Sequence, residues 1–128
     1  MRNDLEKCAS LTHCQDPALH ESLIRALEIH ILQVYGGDNK PDIILGLDAR
    51  GFLFGPSLAL RTGAGFVPVR KRGKLPGPTE AATFQKEYGA DFFEIQSDAI
   101  TQGQKVIVLD DIIATGRQQI YIIPIYAF

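Results

Sequence analysis

Apolar residues recur at Leu19, Leu23, Leu27, Ile31 and Val34. That three- and four-residue spacing gathers one face of an α-helix. Asp16 is placed to cap this helix, and Pro17 suits its first position, where the missing N–H would lack a partner anyway. Gly36 and Gly37 stop it, so a helix is predicted over residues 16–35. A different pattern follows. Asp42-Ile43-Ile44-Leu45-Gly46-Leu47 is a short, continuous apolar run that reads as a fully buried strand, and it ends in the polar turn Asp48-Ala49-Arg50-Gly51. A short helix is predicted over residues 52–61, closed by Gly63. Phe66-Val67-Pro68-Val69 then reads as a strand, its proline implying an edge or strand-end position. Residues 70–78 form a basic loop, and residues 83–88 and 91–95 are expected to pair as a hairpin around Gly89. Lys105-Val106-Ile107-Val108-Leu109 is the clearest buried strand and runs into Asp110-Asp111.

Helix and strand in alternation predict an α/β fold, a parallel sheet flanked by helices. Ligands of such sheets sit outside the carboxyl ends of the strands. Two buried strands here end in polar, glycine-containing turns, at Asp48–Gly51 and Asp110–Gly116, and both turns should open at one edge. The site is predicted there. Phe52, Leu53 and Phe54 at the start of the second helix read as core rather than as a ligand platform.

The 128 residues fit one domain, and 45% hydrophobic with 22% charged content is that of an ordinary globular chain. Thirteen Lys and Arg against fifteen Asp and Glu leave a net charge of −2, without the basic excess of a nucleic-acid binder. The average conceals a block. Between Ala49 and Thr79 stand Arg50, Arg61, Arg70, Lys71, Arg72 and Lys74 and no acid, a local +6, leaving −8 on the remainder. Such asymmetry points to an anionic partner at one place on the surface. Cys8, His13 and Cys14 match no tetrahedral zinc spacing and read as incidental, reduced thiols. The charged start lacks the apolar core of a signal peptide, and no apolar run approaches a membrane span, so a cytoplasmic protein is expected.

Chemistry concentrates at residues 110–116. A strand, an acidic pair and Ala114-Thr115-Gly116 suit an anion cradle, in which small residues let backbone N–H groups approach a phosphate. The two carboxylates suit sugar hydroxyls or a hard cation. A helix cap at Asp111 beside a solvated Asp110 is an equal reading from spacing alone. No Lys-Ser or Lys-Thr follows the glycine, which excludes a Walker loop. For the basic loop the plain alternative is a solvated charged turn, against which Gly73, Pro76, Gly77 and Pro78 describe a hinged, extended segment. Glu87, from its neighbours alone, is a surface carboxylate.

Val106-Ile107-Val108-Leu109-Asp110-Asp111-Ile112-Ile113-Ala114-Thr115-Gly116 resembles the signature by which type I phosphoribosyltransferases bind 5-phosphoribosyl 1-pyrophosphate. Residues 46–56, 69–77 and Lys86-Glu87-Tyr88-Gly89 resemble the adenine phosphoribosyltransferase branch of that family, in the family's order. The resemblance implies a pentosyltransferase of purine salvage, making AMP and pyrophosphate from adenine and 5-phosphoribosyl 1-pyrophosphate with Mg2+, as a cytoplasmic homodimer without nucleic-acid or membrane partners. By matching position it implies that Ala114, Thr115 and Gly116 cradle the 5′-phosphate. Asp110 and Asp111 would engage the ribose hydroxyls and the magnesium ion. Arg50, Arg70 and Lys74 would hold the pyrophosphate, Ile112 and Tyr88 would cover the base, and Glu87 would manage the purine proton.

The resemblance stops after Gly116. Arg117-Gln118-Gln119 stand where the family has Gly and a small hydroxyl residue before a helix, and the remaining residues to Phe128 do not resemble the family's further helix and strands. Nothing between Met1 and Asp16 matches the family's base-contacting segment. The expectation is a single, truncated domain with its C-terminal part missing and marginal stability. Its function is either that of the enzyme or that of a non-catalytic fragment that binds nucleotide or dimerises.

Overall fold

The computed structural model describes residues 15–49, 51–85 and 90–109. Helix α1 covers Pro17–Tyr35. The Asp16 carboxylate accepts from the N–H groups of Ala18 at 2.9 Å and Leu19 at 3.2 Å, which satisfies two of the donors a helix start leaves open. After a 3-10 turn at Gly37–Asn39 come strand β1 (Ile43–Leu47), helix α2 (Gly51–Thr62) and strand β2 (Gly65–Lys71). Strands β3 (Thr79–Gln85) and β4 (Ala90–Gln96) precede β5 (Val106–Leu109).

The five described strands lie in the order β3-β4-β2-β1-β5. Strands β2 and β5 flank β1 in parallel, while β4 runs antiparallel to both β2 and β3. The sheet is therefore mixed, with a parallel centre that matches expectation and an antiparallel hairpin at one side. The hairpin lies earlier in sequence than predicted, closing on Gln85 opposite Ala90. Strand β2 also runs on through Arg70 and Lys71, because these two pair with Glu94 and Phe93 instead of opening a loop.

Pro68 sits within β2, an interior strand of the sheet, yet its position costs no ladder bond. Gly65 N–H donates to Asp42 and the Val69 carbonyl accepts from Asp48, so the odd-numbered residues of this stretch face β1. Pro68 faces the other way, where β4 has not yet begun to pair. The edge character predicted for Pro68 is real, but local.

Alternation along the strands sorts the core. Ile44, Ile107 and Leu109 face both helices and pack with Ile24, Ile31, Phe54, Leu58 and Ala59. Ile43, Leu45, Val67, Val69, Val106 and Val108 face the opposite side with Phe93 and Ile95, and Leu47, Ala99 and Ile100 pack against them. Both described helices thus cover one face. The α1 stripe is rotated from the predicted one: Ile24 and Ile31 are its buried centre, Leu23 and Leu27 flank them, and Val34 is half exposed. Phe54 is buried and stacks on His20, so it belongs to the core as expected; Phe52 is half-buried and meets Phe66 edge-on, and Leu53 is 38% exposed.

Candidate active site

Register places the two predicted turns together. Gly46 of β1 pairs with Leu109 of β5, and Leu47 pairs with Val69 of β2. All three parallel strands therefore end at one edge, where Asp48 follows β1 and Asp110 follows β5 in sequence. The approach is closest between glycines: backbone atoms of Gly46 and Leu109 crowd the place where Gly51, the first residue of α2, would carry a Cβ. This lets the helix start sit directly on the strand ends. The peptide bond between Asp48 and Ala49 is cis.

Asp48 anchors this edge. Its N–H donates to the Val69 carbonyl at 3.0 Å, and its Oδ2 accepts from Arg70 Nε at 2.9 Å. The Arg70 Nη1 donates in turn to the Lys74 carbonyl at 3.0 Å. The turn between them closes with Lys74 N–H on the Lys71 carbonyl at 3.2 Å, with Gly73 at a φ of 79°. Glu94 of β4 is buried behind the turn. Its Oε2 accepts from the Gly73 N–H at 3.0 Å, and its Oε1 lies 3.7 Å from Arg72 Nε.

Among the predicted site residues, the structure brings Arg70 and Lys74 to the carboxyl edge, linked to one another. Arg50, Glu87, Tyr88, Asp110, Asp111, Ile112, Ala114, Thr115 and Gly116 lie outside the described residues, as do Cys8, His13 and Cys14. The five described cations of the +6 block are divided in space. Arg61 serves the helices, where it pairs with Glu21 and with Glu28 of α1. Hydrogen bonds to Glu21 and then Glu28 hold its guanidinium above its ordinary pKa. What remains at the edge is an exposed turn with Arg70, Lys71, Arg72 and Lys74, suited to a polyanion: arginine offers a fork to paired oxygens and lysine a mobile point charge. Among the described residues no cluster of three or more His, Cys, Asp or Glu is placed to hold a metal.

Asp48 and Glu94 were missing from the sequence-derived set. Asp48 was visible as a turn residue, but nothing in the spacing paired it with Arg70. Glu94 lies between Phe93 and Ile95, the alternation that ordinarily sends a carboxylate to solvent. The available signal was the run of bases twenty residues before it, one of which, Arg72, lies 3.7 Å from the Glu94 carboxylate.

The phosphoribosyl transferase domain family model matches residues 15–124. Adenine phosphoribosyltransferase from Yarrowia lipolytica is 67% identical over 102 residues, covering 80% of this chain and 56% of that protein. Adenine phosphoribosyltransferase 1 from Saccharomyces cerevisiae is 56% identical over 102 residues, covering 80% and 54% respectively. The crystal structure of a Saccharomyces cerevisiae adenine phosphoribosyltransferase, complexed with an imino-altritol bisphosphate and adenine, superposes with a TM-score of 0.70 at 52% identity. That match covers 78% of this chain and 56% of the other. The chain thus spans just over half the length of the relatives it matches.

Proposed function

This chain belongs to the phosphoribosyl transferase domain family, and we propose that it carries, as a single domain, the working edge of an adenine phosphoribosyltransferase of purine salvage. Adenine and 5-phosphoribosyl 1-pyrophosphate would give AMP and pyrophosphate. The observation that carries this reading is the shared carboxyl edge, where the ends of β1 and β5 meet beside the Arg70–Lys74 turn. The relatives named adenine phosphoribosyltransferase support the choice of base.

In this reaction the ribose C1–O bond to pyrophosphate breaks and a C1–N bond to adenine forms. The electron pair of the broken bond leaves with pyrophosphate, and the purine loses a proton. Arg50, Arg70 and Lys74 are assigned to the leaving pyrophosphate, whose developing negative charge they neutralise. Removing one preorganised contact of this kind typically costs about 3–4 kcal/mol of transition-state stabilisation. Ala114, Thr115 and Gly116 are assigned to the 5′-phosphate and Asp110 and Asp111 to the ribose hydroxyls. Ile112 and Tyr88 cover the base, and Glu87 takes or positions its proton. Asp110 and Asp111 are also hard oxygen donors of the kind magnesium accepts alongside substrate phosphates. A bound magnesium ion would supply charge neutralisation at the pyrophosphate. A homodimer and a cytoplasmic location belong to the same reading, supported by the family resemblance; within the described residues no helix is long and apolar enough to cross a membrane.

The test is AMP formation from adenine and 5-phosphoribosyl 1-pyrophosphate with magnesium, with hypoxanthine and orotate as competitors. Product that is lost in Glu87→Ala and in Asp111→Ala, and that the competitors leave unaffected, is the expected result. Thermal stabilisation by AMP without turnover would instead assign the chain to nucleotide binding alone, and efficient use of hypoxanthine or orotate would reassign the base.

A further inference from the structure

The residues of β4 alternate in what they hold. Phe93 and Ile95 are buried in the sheet core, while the intervening side chains bind the backbone of the basic loop. Glu94 accepts from the Gly73 N–H at 3.0 Å, Gln96 Nε2 donates to the Pro76 carbonyl at 3.3 Å, and Ser97 N–H donates to the Pro78 carbonyl at 3.1 Å. The loop is therefore fastened along its length to β4 and the residue that follows it. Glu94 is the strongest of these fastenings in kind. It is charged and only 9% exposed, and its partner is an amide at the centre of the turn whose last residue is Lys74. A carboxylate so placed would be costly to bury without partners. The partners it has are a loop N–H and a nearby guanidinium, both from the segment with most of the edge's positive charge.

We propose that Glu94 is a positioning residue for the anion site: it holds the Lys71–Lys74 turn so that Arg70 and Lys74 meet a pyrophosphate group already in place. The connection runs through four hydrogen bonds. Glu94 fixes Gly73, the turn fixes the Lys74 carbonyl, that carbonyl holds Arg70 Nη1, and Asp48 holds Arg70 Nε. Without Glu94 the turn would still form locally through the Lys74–Lys71 bond, but nothing from β4 would orient its amide. Ligand binding would then have to order the segment, at a cost in affinity. This inference rests on the reading of the edge as a pyrophosphate site.

The test titrates the 128-residue chain with inorganic pyrophosphate and magnesium by calorimetry, and follows amide exchange at Gly73 by NMR. Glu94→Ala is expected to speed exchange at Gly73 and to weaken pyrophosphate binding about tenfold. Glu94→Gln keeps an acceptor oxygen and is expected to remain within about threefold of the parent. Gly73→Ala strikes the same turn from the loop side. Its Cβ meets nothing within 4 Å, but its φ of +79° is unfavourable to alanine, so a similar loss of affinity is expected with the fold intact. If Glu94→Ala does not fold, Gly73→Ala decides alone. Parent-like affinity in the alanine variants, or no rescue by Glu94→Gln, overturns the positioning role while leaving the anion site standing. Failure of the unsubstituted chain to bind pyrophosphate overturns the site itself and the positioning role with it, and is visible before any variant is made.

Discussion

A Cβ built on Gly51 would stand 2.8 Å from the Leu109 carbonyl oxygen and 2.9 Å from two backbone atoms of Gly46. These are main-chain atoms of β5 and β1, each fixed by its ladder, so none can swing aside. Gly55 offers the contrast. Its Cβ would also collide, but with the far edge of the Phe66 ring, a side chain and not a main chain fixed in a ladder. Gly51→Ala is therefore expected to destabilise the chain by about 3 kcal/mol, the upper end of ordinary overpacking costs, and Gly55→Ala by less. Denaturant melts of the two variants check this; a smaller loss at Gly51 than at Gly55 would contradict it. Gly51 could be read from its residue type only as part of a turn. That it is the contact point of a helix start with two strand ends depends on a register between residues far apart in sequence, which no local pattern contains. The same is true of Asp48 with Arg70 and of Glu94 with Gly73.

Elements whose cause is local were readable. Helix α1 begins at its Asp16–Pro17 signal and ends before Gly36 as predicted, and the buried runs of β1 and β5 lie where the apolar pattern put them. What escaped prediction is decided by partners. Strand β2 gains Arg70 and Lys71 from pairing with β4, and the buried centre of α1 is chosen by the neighbours it meets, which favour Ile24 over Val34. Helix α2 is joined to α1 at the surface by Arg61, which bonds Glu21 and lies 3.2 Å from Glu28. Because the Arg61 pKa is raised, the stability it adds is present below its ordinary value and is lost only at still higher pH, so raising pH from neutrality does not break this link. Salt is the variable that should reach it. Arg61→Met is expected to lower the melting temperature slightly in dilute buffer, with the difference shrinking in concentrated salt. A difference unchanged by salt would mean that Arg61 contributes through packing.

Across the described residues, five cations of the +6 block separate into Arg61 on the helices and Arg70, Lys71, Arg72 and Lys74 at the sheet edge. Arg61 is engaged by α1, Arg72 and Arg70 lean on Glu94 and Asp48, and the exposed Lys71 and Lys74 lie on the same turn. The edge is thus a few cations on a chain whose remainder is acidic, and its attraction for a polyanion depends on distance. At an ionic strength of about 0.01 M the Debye length is about 30 Å, long enough for the acidic remainder to oppose the edge; at about 0.15 M it is about 8 Å, and the turn acts alone. Raising salt over that first interval should therefore weaken pyrophosphate binding only mildly, because a repulsion is screened together with the attraction. Towards about 1 M, where the Debye length falls to about 3 Å, the contacts themselves are screened and affinity should fall more steeply. Lys74→Ala should lower affinity throughout and flatten the steep part, since it removes an exposed cation and leaves the acidic remainder unchanged. Calorimetric titrations with pyrophosphate across this series check the shape; a uniform decline that is identical in Lys74→Ala would place the bound anion away from the turn.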